Sequence, residues 1–260
     1  MEIEEQVRSR ELRGPLAWAA NGALIMIPVS GIFFLLDVPQ RIGWLFFNEQ
    51  YMGLFLALAL FATYLLVPHK RGASGVPWYD LILALAGLVV GLYIFVEYPN
   101  LVDTLGDITQ TGVVLGVTTV LLLAEATRRL VGWPLVVIAA VFVFYAMFAY
   151  LFPGNFSGRG WSVGRLATYL YLDANGIFGL ALQVGSSIVL VFILFGEVLN
   201  AIGGAAFLSD FAQAVMGRYR GGQAKIAIVS SSLFGNISGS AVANVVVDGA
   251  FTIPMMKKAG

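Results

Sequence analysis

Ser230-Ser-Ser-Leu-Phe-Gly-Asn-Ile-Ser-Gly-Ser-Ala-Val-Ala-Asn244 is a run of small, hydroxylic and amide residues set in a strongly hydrophobic chain. In lipid every backbone N–H and C=O must be paired internally, so non-helical backbone at membrane depth persists only where it is buried in protein or lines a cavity. Gly235, Gly239 and the serines around them open such a gap. The stretch therefore reads as a broken helix that binds a ligand, and the rest of the chain takes its meaning from that break.

On the near side of the break, Ala224–Phe234 supplies helix for roughly 16 Å at about 1.5 Å per residue, half a membrane. Gly235-Asn-Ile-Ser-Gly-Ser240 interrupts, and Ala241–Val247 resumes before Asp248-Gly249 and Thr252-Ile-Pro254. Half-membrane helix, polar break and second short helix describe a re-entrant hairpin over about residues 224–247 that enters and leaves on one side. Its tip presents two helix ends. The carbonyls of the first suit a cation and the N–H groups of the second suit a carboxylate. Oxygens of Ser230, Ser231, Ser232, Asn236, Ser238, Ser240, Asn244 and Thr252 extend the site. Close helix packing alone needs only Gly and Ala, whereas the amides of Asn236 and Asn244 are costly in lipid unless satisfied. Asp248 reads two ways, as an ionisable group at depth with a proton or cation as partner or as a cap at the membrane surface. Glu197 and Asn200 read as interface residues.

Outside this segment, 59% of the 260 residues are hydrophobic and 12% charged, and the mean hydropathy is +0.85. A soluble domain carries about 25% charged residues, so the chain reads as an integral membrane protein. Net charge is zero, and no basic run suggests nucleic acid as a partner. Without cysteine there is neither disulfide nor thiolate chemistry. Crossing a hydrocarbon core of about 30 Å takes roughly 20 apolar residues. Six runs qualify, approximately Leu16–Leu36, Tyr51–Val67, Tyr79–Val96, Thr111–Leu130, Trp133–Phe152 and Ile177–Ala201. The fold expected is an all-α polytopic membrane protein. Six transmembrane helices are followed by an amphipathic interfacial helix over Ala205–Gly217 and the C-terminal re-entrant hairpin.

With the N-terminus cytoplasmic, inner segments hold Arg8, Arg10, Arg13, Lys70, Arg71, Arg128, Arg129, Arg218, Arg220 and Lys225, whereas outer loops hold only Arg41, Arg159 and Arg165. That excess of inner positive charge sets the orientation. Trp18, Trp44, Trp78, Trp133 and Trp161 fall near span ends, where indoles anchor at the headgroup level.

Enzyme signatures are missing. There is no Gly-rich phosphate loop followed by Lys and Ser or Thr, and no His and carboxylate set at metal-ligand spacing. An intramembrane serine hydrolase wants Gly-x-Ser-Gly with a histidine on another helix. Here the spacing is Gly235-x-x-Ser238-Gly239, and the only histidine, His69, sits beside Lys70-Arg71 at a span end.

Gly217-Arg-Tyr-Arg-Gly-Gly-Gln-Ala-Lys225, Ser238-Gly-Ser-Ala-Val-Ala-Asn244 and Phe251-Thr-Ile-Pro-Met-Met-Lys257 closely resemble the large membrane subunit of tripartite ATP-independent periplasmic (TRAP) transporters. Glu125-Ala-Thr-Arg-Arg-Leu-Val-Gly-Trp133 and Gly176-Ile-Phe-Gly179 resemble the fused form that works with TAXI-type binding proteins. The resemblance runs from about Thr111 to the end. The first four spans match in hydropathy and topology, as a small-subunit portion would.

The resemblance implies secondary transport across the inner membrane. An extracytoplasmic TAXI-type binding protein delivers a small organic acid, and a sodium or proton gradient drives it inward through an elevator motion. No other cofactor is implied. Residues 1–130 would then be a small-subunit-like scaffold, 131–170 a connecting helix and outer loop, and 171–260 the start of the transport domain. Ser232, Gly235, Asn236, Ser238, Gly239, Ser240, Asn244 and Thr252 would belong to the cation and substrate site, with sodium held at the tip by Ser232, Asn236 and Ser238. At the position of Asp248 the family often has Thr, which leaves the coupling ion open. Family members also continue beyond the Thr-Ile-Pro segment with a second hairpin, so the expectation is an N-terminal piece of a longer permease. The reading from another class is a non-transporting scaffold that needs a partner chain.

Overall fold

Long apolar runs without water leave the backbone one economical solution, the helix, in which each polar group is paired within its own segment. The computed structural model describes residues 10, 12, 14–69, 75–102, 107–219, 221–238, 252–253 and 256–257, together with all but the side chains at 200, 205, 206, 209 and 236–238. Among them every regular element is helical. We number the α-helices α1 (Pro15–Leu35), α2 (Val38–Arg41), α3 (Asn48–Leu66), α4 (Trp78–Leu101), α5 (Gln110–Leu130), α6 (Trp133–Phe148), α7 (Val163–Leu172), α8 (Leu180–Val184), α9 (Leu190–Ala201), α10 (Gly204–Met216) and α11 (Gly222–Ser238).

Six helical stretches are long and apolar enough to cross a membrane: Pro15–Leu35, Asn48–Leu66, Trp78–Leu101, Gln110–Leu130, Trp133–Leu151 and Leu180–Leu199. These are the six spans expected, with no end moved by more than five residues. Trp18, Trp44, Trp78 and Trp133 are exposed, as the interfacial reading requires. The sixth span changes winding on its way, with π-helical Gly185–Val189 between α8 and α9. The chain divides into two compact units, Met1–Ser186 and Ser187–Gly260.

In the first unit α3 is the central element and packs most closely against α4. Small residues permit the approach, because lipid tails supply no hydrophobic force between helices and close van der Waals packing must serve instead. A Cβ added to Gly53 would lie 2.7 Å from the Gly91 carbonyl oxygen, and one on Gly87 would lie 2.8 Å from Leu60 Cβ. Gly87 and Gly91 form a Gly-xxx-Gly pair on α4. A second pair, Gly112 and Gly116 on α5, receives α7, and a Cβ on Gly116 would collide with the Ala167 carbonyl. Helix α7 itself falls in a stretch expected to be loop. Ser162 caps it by accepting from the Arg165 N–H at 3.3 Å, and Leu166, Ala167, Tyr171 and Leu172 are buried.

Three buried tyrosines tie the elements together through carbonyl oxygens. Tyr64 donates to Leu122 O at 2.6 Å, Tyr171 to Val90 O at 2.7 Å and Tyr51 to Ser186 O at 2.5 Å. Burial pushes the Tyr171 hydroxyl well above its ordinary pKa. By contrast α6 has no buried residue, as a helix facing lipid requires. In the second unit α9, α10 and α11 pack on one another.

Candidate functional site

Helix α11 carries the first part of the small-residue segment. Gly222, Ile226, Ser230 and Phe234 are buried and recur every four residues, forming the stripe by which the helix packs. Lys225, Ile228 and Ser232 are exposed. Successive helical residues turn by about 100°, so Ser230 and Ser232 face nearly opposite ways and cannot converge on one ligand. The hydroxyl of Ser232 donates to the Ile228 carbonyl at 2.8 Å, the i−4 back-bond by which a helical serine satisfies its proton. Its oxygen lone pairs stay available on the exposed side.

The helix ahead of the expected break is longer than the sequence reading made it. Helix α11 does not stop at Phe234 but continues through Gly235 to Ser238, 17 residues in all. At about 1.5 Å per residue this is roughly 26 Å of helix instead of half a membrane. One glycine in a helix costs only about 1 kcal/mol relative to alanine, and the packing of Ile226 and Phe234 on either side of the serines opposes fraying there.

Of the candidate residues, Ser232 is exposed and Gly235 half-buried on α11, while Asn236 and Ser238 lie in its last described turn, with side chains outside the described residues. Thr252 is buried. Gly239, Ser240, Asn244 and Asp248 lie outside the described residues. Glu197 is exposed on α9, and only the backbone of Asn200 is described. Ahead of α11, Gly221 turns the chain with φ +70°. Tyr219 there lies 5.4 Å from both Arg218 and Lys225, under two cations.

A second polar centre, in the first unit, escaped sequence reasoning. Asp80, fully buried in the first turn of α4, accepts from Arg10 Nη2 at 2.5 Å and from Arg129 Nη2 at 2.6 Å. Both arginines also serve the end of α3. Arg129 Nη1 donates to Val67 O at 3.1 Å, Arg10 Nη1 to Tyr64 O at 3.4 Å and the Arg10 N–H to Leu66 O at 2.8 Å. Carbonyls orphaned at a helix C-terminus are thus met by cations, and a carboxylate sits at a helix N-terminus, the arrangement both helix dipoles favour. Around it Glu125 accepts from Arg128 Nε and Arg129 Nε at 2.7 and 2.8 Å. His69 Nδ1 lies 2.7 Å from Arg128 Nη2 and 3.3 Å from Glu125 Oε1. A guanidinium can only donate, so in this geometry Nδ1 is the acceptor and its approach to Glu125 is not a hydrogen bond.

Residues 118–260 match the family described as the tripartite ATP-independent periplasmic transporter, DctM component. The chain is 42% identical over 69 residues to an uncharacterized protein of Salmonella typhimurium and 39% identical over 69 residues to a putative TRAP transporter large permease protein of Haemophilus influenzae. Each alignment takes in 26% of this chain and 16% of the relative, so the matched stretch spans about a sixth of those relatives' length. No solved structure matches the chain.

Proposed function

This chain belongs to the family of the DctM component of tripartite ATP-independent periplasmic transporters, a family of membrane permeases, and on that premise we propose that it is the permease component of an ion-gradient-driven importer. The solute is a small organic acid or a similar compound, handed over by an extracytoplasmic binding protein of the TAXI type. In this reading the protein sits in the inner membrane with its N-terminus cytoplasmic. Residues 1–130 act as small-subunit-like scaffold, 131–170 as connector and 171–260 as the start of the transport domain.

The observation that carries this reading is α11. It lies within the family-matched residues, and its exposed Ser232, whose hydroxyl donates to the Ile228 carbonyl and so keeps its oxygen lone pairs available, precedes Gly239, Ser240 and Asn244 in the sequence. In this reading sodium is held by the oxygens of Ser232, Asn236 and Ser238 together with backbone carbonyls, whose negative ends suit a cation. The ordered segment then offers N–H groups to the carboxylate of the solute, and a re-entrant segment carrying both moves against the scaffold in alternating access. Asp248 is the candidate for a proton-coupled variant of the same step.

Reconstitution of the full gene product with its binding protein into liposomes tests this. Uptake is expected under an inward sodium or proton gradient and is expected to be lost in Asn236→Ala and Ser240→Ala. Unchanged uptake without either gradient overturns the coupling, and unchanged uptake in both variants overturns the site.

A further inference from the structure

At the bundle end opposite the Asp80 centre, one face of α7 lines a cavity of about 140 Å³ whose walls include Ile108, Trp161, Arg165, Thr168, Tyr169 and Asp173. A space of that size is comparable to an engineered cavity of about 150 Å³ that holds one benzene, so it takes a small molecule or the head of a larger one. Gly112 and Gly116 clamp α7 on α5, which makes the cavity preformed.

Its polar groups have capacity to spare. Thr168 is 4% exposed, and its Oγ1 has no hydrogen-bond partner among the described residues. Such a buried hydroxyl is normally paired and is costly when it is not. Arg165 stacks on the Trp161 ring at 5.0 Å, yet no carboxylate among the described residues pairs with it. Tyr169 meets the same indole edge-on at 5.2 Å. At the far end Asp173 Oδ1 accepts from the Asn175 N–H and Nδ2 at 2.8 and 2.9 Å, and Oδ2 makes no hydrogen bond among the described residues. From Arg165 to Asp173 the helix axis advances about 12 Å.

We propose that this cavity binds a phosphoethanolamine group, with the phosphate on Arg165 and the Thr168 hydroxyl and the ammonium on Asp173. A dianion is disfavoured by Asp173 and a simple cation by Arg165, while an α-amino acid holds its charges too close together to reach both. Arginine suits phosphate because its planar fork matches two oxygens at once. The cavity lies beside the first turn of α5, a membrane-spanning helix, and next to an interfacial indole, which is the depth of a lipid headgroup. On the other flank of α7 an apolar cleft of about 150 Å³ is lined by Val117, Val143, Leu166 and Leu170, a place for an acyl chain. The inference rests on the first unit and is independent of the transport reading.

The test titrates the purified full chain in detergent with dihexanoyl phosphatidylethanolamine, dihexanoyl phosphatidylglycerol and free phosphoethanolamine, reading apparent affinity from the shift in unfolding temperature. The ethanolamine lipid is expected to bind more tightly than the glycerol lipid. Arg165→Gln and Thr168→Val are each expected to weaken it about tenfold, the usual loss for a hydrogen bond to a charged group, and Asp173→Asn to abolish the preference between the lipids. Without ligand Thr168→Val should unfold at the same or a higher temperature, because it removes an unpaired hydroxyl, so its effect on binding is not a folding defect. Free phosphoethanolamine binding as tightly as the lipid assigns the site to a soluble compound of the same chemistry; weaker binding assigns it to the bilayer. Absence of any shift, equal binding of the two lipids, or wild-type affinity in both Arg165→Gln and Thr168→Val overturns the proposal.

Discussion

The buried centre around Asp80 and the small-residue segment of α11 are two answers to one problem, polar groups in a chain that is 59% hydrophobic. The first gathers full charges and closes on itself. Both oxygens of Asp80 are taken, and the arginines that take them also cap α3. The second uses neutral hydroxyls and glycines, and Ser232 keeps acceptor capacity on an exposed face. A centre saturated by its own partners fixes structure; one with unsatisfied acceptors is able to exchange ligands. Charge alone is therefore a poor guide to the site proposed for this protein.

The largest effect expected from breaking the comparison is at Asp80. Asp80→Asn leaves buried Arg10 without a carboxylate partner and Arg129 with Glu125 alone, and removing one partner of a buried pair costs about 3–5 kcal/mol. The unfolding temperature in detergent should drop steeply, and an unchanged midpoint would show the centre to be incidental. Gly91→Leu comes next. Its side chain has no room against Gly53 and Ala57, and overpacking costs about 1–3 kcal/mol or more, read as a lower midpoint and faster proteolysis of the α3 and α4 pair. Tyr64→Phe removes one buried donor while the Leu122 carbonyl keeps its place in α5, for a loss of about 0.5–1.5 kcal/mol. Smallest in stability is Ser232→Ala. A surface change away from packing stays within about 0.5 kcal/mol, yet uptake in the liposome assay should fall. Asp80→Asn that unfolds the protein and Ser232→Ala that silences it without unfolding would sharpen the division of labour; the reverse pattern would break it.

Much of the architecture was legible because a span needs only length and apolarity. Residue pairs were not. Arg10 and Asp80 are 70 positions apart, and no local pattern announces that a residue ahead of the first helix will fold against the end of the third. Other signals were present and went unread. Gly87 with Gly91 and Gly112 with Gly116 have the spacing for close helix crossings, and Ser162 ahead of Val163–Leu172 is a recognisable helix cap. Gly235 was read as the start of a break, but α11 runs through it, because glycine is a weak stop inside a helix and packing outweighs it.

The sequence by itself determined six apolar spans, an all-helical fold and a polar segment near residue 235, since each follows from composition and period along a single stretch of chain. The tertiary structure alone decided which polar groups are consumed and which stay available. Asp80 and Glu125 are engaged by arginines, Ser230 turns to the packed stripe while Ser232 turns away, and Thr168 lies buried near Arg165, which pairs with no carboxylate among the described residues. Hydrogen bonding and ion pairing act over a few ångströms, and the distances between residues far apart in sequence are fixed only when the helices have packed.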